Sequence, residues 1–127
     1  MIVLTVDNPV FKVEPMFVLG CSYAELQKYL KSRFKVETAD EGELSSGKML
    51  TFECSPWRVI WAKEVPKKPR HHGVLIHEIF HLVTRICGDK GIPIKDHIST
   101  GENGDETAAY LMEFFYVECL RKLKTAK

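Results

Sequence analysis

The segment His77-Glu78-Ile79-Phe80-His81 constrains this chain more than any other, because it sets three ionisable side chains into a stretch that is otherwise apolar. From about Arg70 to Ile86 the residues follow a helical period, preceded by Pro66-Lys67-Lys68-Pro69 and followed by Gly88, Gly91 and Pro93. Leu75, Ile76, Ile79, Phe80, Leu82, Val83 and Ile86 cover well over half of that helix, so most of it is expected to be buried. At about 100° per residue, His77, Glu78, His81, Thr84 and Arg85 share an arc of about 120°. Two imidazoles and a carboxylate buried without partners would cost on the order of 2 kcal/mol or more per group. Either the stripe faces water or a bound cation satisfies it.

His77 and His81 stand four residues apart, so on a helix they share one face and can both place a ring nitrogen on one ion. Glu78 is rotated by about 100° from His77, which sets its carboxylate beside such an ion rather than on it, the place of a general base. A catalytic zinc takes three protein ligands and keeps a fourth position open. Glu106 is the best third donor: it follows a loop rich in Gly, Ser, Thr and Asn and opens the last helix. There its acidic side chain would also suit the helix macrodipole. Asp105 is the rival ligand, Asn103 or Asp105 could instead cap the helix, and His97 comes next. Cys87 projects to the apolar side and reads as core. Zn2+ is the expected ion, although manganese, iron or cobalt accept the same donors.

HEIFH followed downstream by DETAAY resembles the zincin superfamily, in the gluzincin arrangement of HExxH with a glutamate on a later helix. The small size is similar to that of compact HExxH proteins encoded by phages and mobile elements, among them regulatory peptidases that cut repressors. The resemblance covers roughly the second half of the chain; the first half matches nothing comparable. Strands and helices segregate along the sequence instead of alternating, which favours an α+β fold, and the length fits one domain over residues 1–127; the resemblance makes that domain zincin-like, with a small mixed or antiparallel sheet, the HExxH helix and a long C-terminal helix. It implies His77, His81 and Glu106 as zinc ligands, Glu78 as the base, and an edge strand that binds an extended peptide or protein substrate. By position, Trp57 to Lys63 would be that edge. Larger gluzincins often carry an aspartate four residues beyond the ligand glutamate, and here Tyr110 stands there, able to hydrogen-bond a ligand or a reacting oxygen. Tyr110 and Arg85 are the candidates to stabilise an oxyanion. The function implied is that of a zinc metallopeptidase. The alternatives are a non-catalytic zinc-binding assembly or regulatory protein, and a peptidase that regulates by cleaving a repressor.

The rest of the chain reads as support. Ile2 to Val6 and Val10 to Leu19 are strand-like, the second interrupted by Pro15. Ser22 and Glu25 have capping-box spacing ahead of a helix from about Tyr23 to Arg33. Met49 to Cys54 and Trp57 to Lys63 read as a hairpin broken at Pro56, and Asp105 to Leu123 as one long helix. In that helix Leu111, Met112, Phe115, Val117, Leu120 and Leu123 are expected to pack into the core. Cys21, Cys54, Cys87 and Cys119 lack metal-ribbon spacing and read as reduced thiols of a cytoplasmic protein. No signal peptide or membrane-spanning run is expected, and 18 Lys and Arg against 17 Asp and Glu argue against nucleic acid as a partner. The basic run Lys67, Lys68, Arg70, His71 and His72 has its positive charge against the helix macrodipole, and His72 is a candidate to line the cleft.

Overall fold

Two short, wholly apolar segments, MFVL and VIWA, carry the centre of the structure, a computed structural model that describes residues 1–39, 45–52, 55, 57–92 and 104–126. The chain order is β1 (Ile2–Thr5), β2 (Met16–Leu19), α1 (Tyr23–Phe34), β3 (Gly47–Thr51), β4 (Arg58–Ala62), α2 (Pro69–Asp89) and α3 (Gly104–Thr125). The four strands lie in the order β1-β2-β4-β3. β1 and β2 are antiparallel, β2 and β4 parallel, and β4 and β3 antiparallel, which makes a mixed sheet and an α+β fold.

β2 and β4 are buried on both faces, the usual reason for an uninterrupted apolar run. Alternation along the strands divides their side chains between two clusters. Phe17, Leu19, Ile60 and Ala62 face α2 and α3, meeting Leu75, Ile79, Leu82, Val83, Ile86, Leu111, Phe115 and Cys119. Met16, Val18, Val59 and Trp61 face α1, meeting Tyr23, Leu26 and Leu30. Trp61 donates its indole N–H to the Cys21 carbonyl at 2.9 Å, so the largest buried side chain leaves no polar atom unsatisfied.

Helix α1 starts where the sequence signals it, with the Glu25 N–H bonded to Ser22 Oγ and the Ser22 N–H bonded to the Glu25 carboxylate. Several other expectations are corrected. β4 is an interior strand, so the Trp57 to Lys63 segment is not the sheet edge; β3 is, and its outer side pairs with no strand among the described residues. The second strand begins only at Met16, because buried Asn8 accepts the Phe11 N–H and bridges to Val13, turning the chain with Lys12 at φ 54°. Helix α2 runs past Gly88 to Asp89, since Ile86 and Cys87 are still packed in the core, and the chain leaves the helix at Gly91, whose φ is 69°. Leu111, Phe115 and Leu123 are buried as expected, but Val117 is 50% exposed: it lies on the side of α3 that turns away from α2. Among the described residues Cys21, Cys87 and Cys119 are free and buried; Cys54 lies outside them. No helix is long and apolar enough to cross a membrane, as far as the described residues extend.

Candidate functional site

The inner face of α2 sets the outer one. Leu75, Ile79, Leu82, Val83 and Ile86 lock the helix against the sheet and α3, and this rotation leaves His77 and His81 exposed on the opposite side. Their rings stand at 81° to each other and their Nε2 atoms lie 3.1 Å apart. Two neutral rings can meet this way through one N–H···N hydrogen bond. Alternatively, both lone pairs can fall on one cation: tetrahedral zinc with bonds of about 2.0–2.1 Å separates its nitrogens by about 3.3–3.4 Å. The pair is therefore within a few tenths of an ångström of a metal bite.

Glu78 lies beside this pair but under the sheet edge, only 7% exposed. It can do so because β3 begins with Gly47: a Cβ there would come within 2.7 Å of Val74 Cγ1 and 3.1 Å of Glu78 Cγ. The absence of a side chain lets helix and strand close on each other. Lys63 N–H bonds to the Ser46 carbonyl at 2.8 Å, and strand alternation then turns the backbone groups of Gly47, Met49 and Thr51 to the outer edge. Accordingly the Met49 N–H donates to the Glu78 carboxylate. Burial raises the Glu78 carboxyl above the usual carboxylate range, while His77, His81, the Met49 N–H and Lys48 pull it back only in part. A base shifted towards neutrality is better suited to take up a proton and return it.

An open groove of about 730 Å³ runs between β3 and α2, lined by Ser45, Gly47, Lys48, Met49, Glu78, His81, Thr84, Arg85, Gly88 and Asp89. Asp89 is held by Arg58 at 2.7 Å, so the far end of the groove is a fixed ion pair.

Of the sequence-derived candidates, the structure brings together His77, Glu78, His81 and Arg85. Glu106 is exposed on α3, and among the described residues no group of three His, Cys, Asp or Glu side chains is arranged to hold a metal ion, so it is not assembled with the histidines. Asn103, His97 and the Asp105 side chain lie outside the described residues. Tyr110 does not line the groove: its hydroxyl is 3.5 Å from Asn8 Nδ2, and it borders a separate hollow with Glu113, Phe114, Val117 and Glu118. His72 is turned to Tyr116 of α3, with Nδ1 2.8 Å from the hydroxyl, and stands outside the groove as well. Lys48, Gly47 and the Met49 N–H were not legible as site groups; the glycine opening a strand was the one available signal.

Comparison with protein-family models, with curated proteins and with solved structures gives no match for this chain.

Proposed function

We propose that this chain is a zinc-dependent peptidase, a reading carried by the 3.1 Å approach of the His77 and His81 Nε2 atoms beside the buried Glu78 carboxylate. His77 and His81 would hold the ion, and the donor set suits zinc. Glu106 is the proposed third ligand, which requires the start of α3 to come to the pair. When bound, zinc supplies Lewis acidity, polarising a peptide carbonyl and making water a nucleophile near neutral pH. Glu78 takes a proton from the attacking water at its carboxylate and later gives it to the leaving nitrogen. The outer edge of β3 offers the backbone groups of Gly47 and Thr51 to an extended peptide, which fixes the scissile bond against the helix. Arg85, in the groove wall, is placed to offset negative charge developing on the carbonyl oxygen.

A purely structural zinc is less well supported. Both apolar clusters close without the exposed histidines, so the described core does not depend on an ion.

Plasma mass spectrometry on purified wild type, His81→Ala and Glu106→Ala tests the foundation. The expected result is about one zinc per wild-type chain, lost in His81→Ala and weakened in Glu106→Ala. A wild type that takes up no zinc after reconstitution would end the peptidase reading. Zinc retained in Glu106→Ala alone would transfer the third position to another donor.

A further inference from the structure

The basic run at the start of α2 has no part in the mechanism above, and the fold brings two of its members, Arg70 and His71, into a hollow. A cavity of about 300 Å³ is lined by Ser46 ahead of β3, Lys63 and Glu64 after β4, and Arg70, His71 and Val74 of α2. Lys63, Lys67, Lys68 and Arg70 are all exposed, and among the described residues none of them is held in an ion pair. Among the described residues that line the hollow, Lys63 and Arg70 are the cations and Glu64 is the one acidic side chain. His71 accepts the Lys68 N–H at Nδ1 over 3.4 Å, which leaves Nε2 of the neutral ring as a hydrogen-bond donor. Three separate segments thus converge on a hollow rich in donors and positive charge.

Its position relates it to the groove. Gly47 touches Val74 and Glu78, the Met49 N–H reaches Glu78, and Thr51 pairs with Arg58, which binds Asp89. β3 therefore follows α2 from Val74 towards Asp89, and the basic hollow is the upstream end of the path whose middle is Glu78. Along the helix the stretch from Arg70 or Val74 to Glu78 is about 6–12 Å, which an extended peptide covers in about two to four residues.

We propose that this hollow is a carboxylate-recognition subsite, so that the peptides bound along β3 are acidic, with an Asp or Glu about two to four positions from the bond facing Glu78. The location of the cut rests on the peptidase reading, whereas the preference for acid is a property of binding alone.

The test is fluorescence anisotropy on the Glu78→Gln protein as purified, which binds without turning over. The probes are end-capped alanine–threonine octapeptides with one Asp moved through each position, their Asn counterparts, and a neutral octapeptide with a free C-terminal carboxylate. Asp in one or two adjacent positions is expected to bind about tenfold tighter than Asn at low salt. At about 0.5 M salt the advantage should shrink to below about threefold, because the site is open to solvent. Lys63→Gln with Arg70→Gln should abolish it. Both residues are exposed, and an unchanged thermal melt verifies the fold. A tenfold gain from the free terminus instead of an internal Asp would assign the same carboxylate chemistry to chain ends. Equal binding of Asp and Asn peptides with no gain from the free terminus, no binding at millimolar protein, or a preference that survives the double substitution would each overturn the proposal. Repeating the scan in His81→Ala separates the two readings: loss of zinc there with the acid preference intact leaves this subsite standing whatever the chemistry proves to be.

Discussion

His72 and the pair His77 and His81 lie within about three turns of one helix, yet the structure treats them differently. His72 is half-buried and already satisfied, its Nδ1 2.8 Å from the Tyr116 hydroxyl and its ring edge-on to that tyrosine. It joins α2 to α3. His77 and His81 are exposed and lean on each other, with a carboxylate and an open groove beside them. A histidine completed by the fold contributes to the fold; a pair completed only by itself is free to be completed by a ligand.

The sharpest way to break this contrast is Glu78→Gln. The amide oxygen can still accept the Met49 N–H, so the fold and zinc content should be kept while peptide turnover drops by about 10²–10⁴. A variant that still cleaves would remove the chemical half of the comparison. Gly47→Val comes next. Its new side chain would press on Val74 and Glu78, and a loss of about 1–3 kcal/mol in urea unfolding is expected, together with reduced turnover. Unchanged stability would mean that helix and strand need not touch at this seam.

Tyr116→Phe probes the other histidine. It should cost about 0.5–1.5 kcal/mol in the same unfolding assay and leave zinc content at the wild-type level. If zinc were lost, His72 would belong to the site after all. The smallest effect concerns the inner side of α3. Burial pushes the Cys119 thiol up to about 12 from an ordinary 9.0, so with rising pH the unfolded chain releases its proton first. Its contribution is complete below 9.0 and is lost as pH climbs towards 12, a decline of about 0.4 kcal/mol already at pH 9. Replacing Cys119 by Ala should flatten that part of the pH–stability curve.

The motifs that act within a few residues were legible in the sequence. Ser22 and Glu25 announced α1, and the apolar spacing around His77 and His81 pointed to Leu75, Ile79, Leu82, Val83 and Ile86 as the inner face of α2, but Ile76 and Phe80, read with them, are exposed and Glu78 of the polar stripe is buried. Pairings between distant segments were not. Met49 and Trp57 open two strand-like runs of similar appearance, and local pattern does not rank them as edge and interior. The uninterrupted burial of Val59, Ile60, Trp61 and Ala62 marks the interior one only once partners are known on both sides. The donor to Glu78 is the Met49 backbone N–H, which no side-chain motif can announce. Val117 misled because α3 carries more apolar surface than α2 and the sheet can cover.

The sheet is also a partition. β4 turns Ile60 and Ala62 towards the helices that carry the groove, and Val59 and Trp61 towards α1. Damage behind Trp61, at Leu26 or Leu30, should therefore reach the groove through the strands, by way of β4 and of Leu50 in β3, as a change in how long the protein survives rather than in what it selects. A saturation-mutagenesis map would come out two-toned. One colour, for abundance, would lie over the α1 compartment; the other, for specificity and rate, would follow the seam between β3 and α2.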